Sequence, residues 1–211
     1  KGKMKAGPIN PLLENWVLAR TRGDEEPAKV IEKGKAILAR CKDAVCQVEA
    51  LRTLSASYYT NDRFQESADA ALQAIKVLEQ DPRHTSNTVY MELLNNLAYT
   101  MISQLDKPQE GLPYAEKAAE LMPDEPTVLD TLGWAYHKTK NSSKAVSTLE
   151  KSLQMAKKKN DGFIAALHLG LAQLSAGDKA EARRALRKAD EYASDPDPSI
   201  TADEIPEYKM Q

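Results

Sequence analysis

The sequence predicts an all-α fold built from about five helix-turn-helix units, and two observations carry this prediction. Alanine and leucine supply 29 and 23 of the 211 residues, whereas valine and isoleucine together supply 16, a composition that favours helices over strands. The chain also repeats itself, because residues 129–156 align with residues 165–193 and match Leu132-Gly133 to Leu169-Gly170. A repeat of this length predicts units that bury their apolar faces against their neighbours.

Earlier copies of the same unit can be traced towards the N-terminus. Leu97-Ala98 and Leu54-Ser55 have the same roles as Leu132-Gly133, and Trp16-Val17 marks a degenerate first copy. A compact helical bundle would also contain amphipathic helices, but it would have no reason to repeat a small residue at near-regular intervals. The sequence therefore favours a repeat stack.

The elements follow in order from local signals. Pro27, Pro108 and Pro126 lie where the first turn of a helix tolerates proline, while Pro82 and Pro123 lie where helices stop. The predicted helices are 10–22, 27–40, 44–60, 63–80, 87–105, 108–121, 126–139, 142–157, 162–176 and 179–193. They pair into units at 10–40, 44–80, 87–123, 126–158 and 162–193, with an extension at 1–9 and an acidic tail or cap at 194–211.

Small residues in these helices have a packing role. In the best copy, Leu129, Leu132 and Tyr136 flank Gly133 on the first helix, and the second helix supplies Ala145, Leu149 and Ser152. A small residue lets the paired helix approach closely, and large neighbours fill the remaining gap. We therefore expect Gly133 and Gly170 to lie at helix crossings.

The Leu-Gly-Trp-Ala-Tyr segment at 132–136 and the Ala-Gly-Asp-Lys-Ala-Glu-Ala turn at 176–182 resemble the tetratricopeptide repeat family, and the resemblance spans 10–193. Residues 129–134 are also similar to a motif of bacterial repeat proteins. The resemblance implies an α-α superhelix, or solenoid, whose concave groove is lined by the first helix of each unit. It further implies a non-enzymatic adaptor that binds a peptide or protein segment.

Nine side chains are predicted to face that groove. Aromatic rings can cover ligand side chains, and amides can pair with a ligand's backbone. The predicted set is Arg52, Tyr59, Asn95, Asn96, Tyr99, Asp130, Trp134, His137 and His168. For Tyr99 and Trp134 the alternative is a brace against the next unit. The family's two-carboxylate clamp is not expected, since only Asn96 matches it.

Composition and motifs exclude several function classes. A net charge of −2 and a pI near 6.0 argue against nucleic acid, and no apolar stretch approaches the length of a membrane span. The sequence contains no phosphate loop, nucleophile elbow or zinc-ligand spacing, so no enzyme, cofactor or metal is predicted. An alternative for His137, His168 and Asp130 is a metal or proton-transfer site, against polar residues that line a binding surface.

Several questions stay open at this stage. Cys41 and Cys46 are either two inert thiols near a turn or a local disulfide in an oxidising compartment, so a cytoplasmic and a periplasmic location are both compatible with the sequence. The missing start Met indicates an excised or processed piece. Alternatives to the adaptor are a structural or oligomerisation segment of a larger protein, or the regulatory segment of an enzyme. The basic start and acidic end suggest head-to-tail association into a homo-oligomer.

Overall fold

A computed structural model describes residues 26–194, which fold into nine α-helices without a strand. The helices are α1 (Pro27–Leu38), α2 (Ala44–Tyr59), α3 (Phe64–Leu78), α4 (Thr88–Tyr99), α5 (Pro108–Leu121), α6 (Pro126–Lys138), α7 (Ser142–Met155), α8 (Lys159–Ala176) and α9 (Lys179–Ser194). A π-helical segment, Thr100–Gln104, continues α4, and a short 3₁₀ turn, His84–Ser86, precedes it. The all-α prediction is confirmed.

Most helix ends lie within two residues of the predicted ones, because proline and short polar turns mark them locally. Two differences stand out: α8 begins at Lys159, three residues before the predicted start at 162, and the predicted helix 87–105 changes from α to π geometry at Thr100. The predicted helix 10–22, the extension 1–9 and all of the tail except Ser194 lie outside the described residues.

The chain divides into two compact halves, Lys1–Leu105 and Asp106–Gln211. In the N-terminal half, α2 packs against α1 and α3, and α3 packs against α4 and its π segment. In the C-terminal half, α6 packs against α5, α7 and α8, and α8 packs against α7 and α9. The boundary falls between the two helices of the predicted unit 87–123.

Small residues lie where paired helices cross, as predicted. A Cβ atom built on Gly133 of α6 would lie 2.5 Å from Cγ of Leu149 on α7, and one on Gly170 of α8 would lie 2.6 Å from Cγ of Leu186 on α9. In the N-terminal half, the small residue Ser55 of α2 faces α3, where its hydroxyl donates to the backbone carbonyl of Ser67 at 2.9 Å. The small residues at these positions let the two helices of each pair pack closely.

The four turns inside the repeats that the structure describes share one backbone conformation. Asp62, Asp106, Lys140 and Gly177 have φ of 56°, 49°, 64° and 89°, and each lies just after the first helix of its pair. A left-handed residue at this place ends a helix by redirecting the chain. This recurring conformation is a backbone feature of the repeat, and only the turn at Gly177 could be read from the sequence.

The turn between α1 and α2 is closed by a disulfide between Cys41 and Cys46. The second of the two alternatives for these cysteines is therefore the one found. Inside the bridged loop, Asp43 caps α2 by accepting a hydrogen bond from the Cys46 amide at 2.9 Å. Cap and disulfide together fix the start of α2.

Candidate functional site

A groove runs between α2 and α4 in the N-terminal half. Each helix contributes three side chains at positions i, i+4 and i+7, which lie on one face of a helix. These six residues are Arg52, Ala56 and Tyr59 on α2, and Glu92, Asn96 and Tyr99 on α4. The groove has a volume of about 450 Å³, and Thr53, Leu93 and Thr100 also line it. We call it the α2–α4 groove.

One end of the groove is charged. The guanidinium of Arg52 donates two hydrogen bonds to the Glu49 carboxylate, from Nε at 3.2 Å and from Nη2 at 2.5 Å. This hydrogen bonding, helped by the negative charges of Glu49 and Glu92, raises the pKa of Arg52 above its ordinary value. The charge of Arg52 is therefore already paired with Glu49, and the side chain lies along the groove wall.

The other end is aromatic. The rings of Tyr59 and Tyr99 lie 6.5 Å apart with 46° between their planes, and Phe64 meets Tyr59 edge-on at 5.4 Å. Gln104, in the π segment, donates a hydrogen bond to the Tyr59 hydroxyl at 3.2 Å. The π segment thus places the side-chain amide of Gln104 next to Tyr59, a predicted groove residue. Sequence reasoning missed Gln104, since no local pattern announces a π segment.

Asn95 and Asn96 have different surroundings although they are neighbours. Asn96 is exposed and lines the groove, whereas Asn95 is half-buried and is not among the lining residues. The side-chain oxygen of Asn95 is buried without a hydrogen-bond partner. Four residues of the predicted set therefore line the groove, namely Arg52, Tyr59, Asn96 and Tyr99. Asn95 does not line it.

The predicted residues of the C-terminal half form a separate cluster. Nδ1 of His168, on α8, donates to the carboxylate of Asp130, on α6, at 2.9 and 3.0 Å. The imidazoles of His168 and His137 both stack on the indole of Trp134, with ring centroids 4.2 and 4.7 Å away. Lys138 places its ammonium 5.6 Å from the same indole. We call these five residues the Trp134 cluster.

Two predicted groove residues of the Trp134 cluster are buried. Trp134 and Asp130 are only 7% and 8% exposed, because His168 of the next repeat covers them. Of the two alternatives for Trp134, these contacts fit the brace between repeats. His137 and His168 are half-buried.

The electrostatics of the cluster favour uncharged His137. Burial lowers the pKa of His137, and its electrostatic interactions with His168 and Lys138 lower it further. Among the described residues, no three His, Cys, Asp or Glu side chains converge to hold a metal ion.

A second cavity, of about 520 Å³, lies in the N-terminal half at the starts of α2 and α4. Its walls are mostly apolar and include Val45, Val48, Val77, Pro82 and Val89. Sequence reasoning did not anticipate it, because the linker at 80–87 folds back to form one side. None of the nine predicted residues lines this cavity.

The fold and the paired helices define a helical-repeat protein, and comparison with known sequences identifies the repeat. Residues 126–159 and 165–196 match the sequence model of the tetratricopeptide repeat. Two repeats in the C-terminal half are therefore tetratricopeptide repeats, as the sequence pattern indicated. No curated protein sequence matches it significantly. No helix within residues 26–194 combines the length and apolar character that crossing a bilayer requires.

Solved structures show the same fold at low sequence identity. MamA (residues 41 to the end) from Desulfovibrio magneticus RS-1 is 15% identical with a TM-score of 0.70, covering 90% of this chain and 99% of that one. BtubC from P. vanneervenii is 19% identical with a TM-score of 0.71, covering 90% and 84%. YrrB, described as a TPR protein with an unusual peptide-binding site, is 15% identical with a TM-score of 0.68, covering 89% and 88%.

Proposed function

We propose that this chain is a non-enzymatic binding module that holds a peptide or protein segment in the α2–α4 groove. The observation that carries the proposal is the pair of matching side-chain columns on α2 and α4, which enclose about 450 Å³. The groove combines an exposed amide at Asn96 with the aromatic faces of Tyr59 and Tyr99. Amides pair with an extended backbone, and aromatic rings anchor side chains.

The likeness to YrrB supports this proposal, since that protein is described as having a peptide-binding site. We assign the Trp134 cluster a structural role and not a role in binding. Its indole and its carboxylate are covered, so we propose that it joins α6 to α8 and that His137 and His168 are secondary contact points at most. Association through the ends of the chain stays a prediction, because most of the charged residues concerned lie outside the described residues.

The proposal can be tested by filling the groove. A phage-displayed library of random dodecapeptides is selected on the immobilised protein, and the enriched peptides are synthesised with a fluorescent label. Ala56→Trp puts a bulky ring between the two columns, and we expect it to weaken binding at least about tenfold in fluorescence anisotropy. Ala180→Trp, on an exposed position of α9, adds the same side chain outside the groove and should leave binding unchanged.

Circular dichroism of each variant checks that the helices are retained. Two outcomes would overturn the proposal: a library that yields no enriched peptide, or enriched peptides that bind the Ala56→Trp variant as tightly as the original protein. In the second case the cavity lined by Val45 and Val89 becomes the next surface to block.

A further inference from the structure

The charges along the α2–α4 groove do not cancel. Arg52 and Glu92 are the two charged residues among those lining it. The guanidinium of Arg52 is already engaged by Glu49 through two hydrogen bonds. Glu92 is exposed and makes no hydrogen bond or ion pair with any described residue, although its charge acts on Arg52. One cation faces two carboxylates, which leaves one negative charge uncompensated at this end.

An uncompensated carboxylate beside a satisfied guanidinium favours a cation over an anion. An acidic ligand would have to displace Glu49 from Arg52 and would also be repelled by Glu92, whereas a basic ligand side chain can pair with Glu92 without breaking any existing contact. The charged end of the groove therefore selects lysine or arginine.

The aromatic end of the groove favours an apolar or aromatic ligand side chain. The two tyrosine rings lie seven residues further along their helices, so they are about 10 Å from the charged end at 1.5 Å rise per residue. Because 46° separates their planes, the rings of Tyr59 and Tyr99 form an open angle that an apolar or aromatic side chain can enter. The Tyr59 hydroxyl accepts a hydrogen bond from Gln104, which limits the movement of the Tyr59 ring.

We infer that the segment bound in this groove carries a lysine or arginine that pairs with Glu92 and an apolar or aromatic residue, about 10 Å away, that packs on Tyr59 and Tyr99. This spacing corresponds to about three residues of an extended chain or two turns of a helix. The inference rests on the proposed function, since it names the chemistry of the partner for the same groove.

The test reads the sequences of the peptides enriched on the immobilised protein in the dodecapeptide selection. We expect lysine or arginine to be enriched together with an apolar or aromatic residue three or seven positions away. Replacing that basic residue with glutamate in a synthetic peptide should weaken binding by about five- to tenfold in fluorescence anisotropy. On the Glu92→Lys variant the preference should reverse, so that the glutamate peptide binds more tightly than the lysine peptide.

Asp69→Lys is the matched control, because Asp69 is an exposed acid of α3 that does not line the groove. It makes the same change in net charge and should leave the preference for the basic peptide intact. Reversal by Asp69→Lys as well would reduce the effect to overall charge and overturn the inference. Peptides that bind the groove and are blocked by Ala56→Trp, but carry no basic residue, would also overturn it while leaving the proposed function standing. A groove that enriches no peptide overturns both.

Discussion

Leu149 of α7 occupies the space that any side chain at position 133 of α6 would need. A Cβ atom added to Gly133 would lie 2.5 Å from Cγ and 2.8 Å from Cδ2 of Leu149, and the leucine is fully buried. Because Leu149 also packs against Leu169 and Ala172 of the next repeat, it cannot retreat without disturbing that interface. One glycine therefore sets the spacing of two helices and, through Leu149, the position of a third.

Gly133→Ala should consequently destabilise the protein, although alanine is the better helix former by about 1 kcal/mol. Overpacking of a buried contact costs about 1 to 3 kcal/mol, so we expect a net loss of about 1 kcal/mol in the free energy of unfolding by urea. Combining it with Leu149→Ala should give a smaller loss than the sum of the two single changes, because the second substitution removes the clash. A stabilised Gly133→Ala variant would show that the helices separate at no cost.

The left-handed turn residues give a prediction of opposite sign. Lys140 has φ of 64°, which costs a residue with a Cβ about 1 kcal/mol, and its side chain cannot relieve the strain as an aspartate's can. Lys140→Gly should therefore raise the midpoint of thermal unfolding by a few degrees. Gly177, at φ 89°, provides the reverse case: Gly177→Ala should lower the midpoint, although no atom lies within 4 Å of the added Cβ. Equal midpoints for all three proteins would contradict the strain argument.

How far the sequence predicts this structure depends on how local each feature is. The ends of α5 and α6 could be predicted because Pro108 and Pro126 act within one turn, and the packing glycines could be predicted because their spacing repeats. The burial of Trp134 could not, because it depends on His168, which lies 34 residues later and on another helix. The π segment and the bond from Gln104 to Tyr59 have no local signal at all.

The disulfide between Cys41 and Cys46 should contribute measurably to stability. Closing so short a loop in the unfolded chain is worth about 2 kcal/mol in the chain-entropy estimate, and the bridge encloses the Asp43 cap of α2. We expect a reducing agent to lower the midpoint of thermal unfolding of the original protein. A variant with Cys41→Ser and Cys46→Ala should already have the lower midpoint and should not respond to the reductant. A response in that variant would mean that the reductant acts elsewhere.

The bond between Asp130 and His168 should couple α6 to α8. Asp130→Ala leaves the half-buried Nδ1–H of His168 without its acceptor, which costs about 1 kcal/mol. A double-mutant cycle with His168→Ala should give an interaction energy of at least about 0.5 kcal/mol in urea unfolding. Asp124→Ala is the control, since Asp124 is largely exposed and pairs with Lys151 at 3.6 Å, so its loss should cost well under about 1 kcal/mol. Purely additive losses in the cycle would show that the two repeats do not communicate through this bond.

The lowered pKa of His137 predicts a loss of stability in mild acid. Burial, and the electrostatic interactions with His168 and Lys138, disfavour protonation of His137 in the folded state, whereas in the unfolded chain it titrates at its ordinary value of 6.5. Above that value both states are neutral and the full stability is present. As the pH falls through 6.5 towards the folded-state pKa, the unfolded state takes up the proton first, so folding becomes less favourable.

His137→Gln removes this titration while keeping a polar side chain of similar size. We expect the variant to lose less stability than the original protein between pH 7.5 and pH 5, measured by urea unfolding at each pH. The NMR titration of the His137 ring should independently give a midpoint below 6.5 in the folded protein. An equal loss of stability in both proteins, or a ring that titrates at or above 6.5, would mean that the packing of His137 against Trp134 leaves room for a hydrated imidazolium.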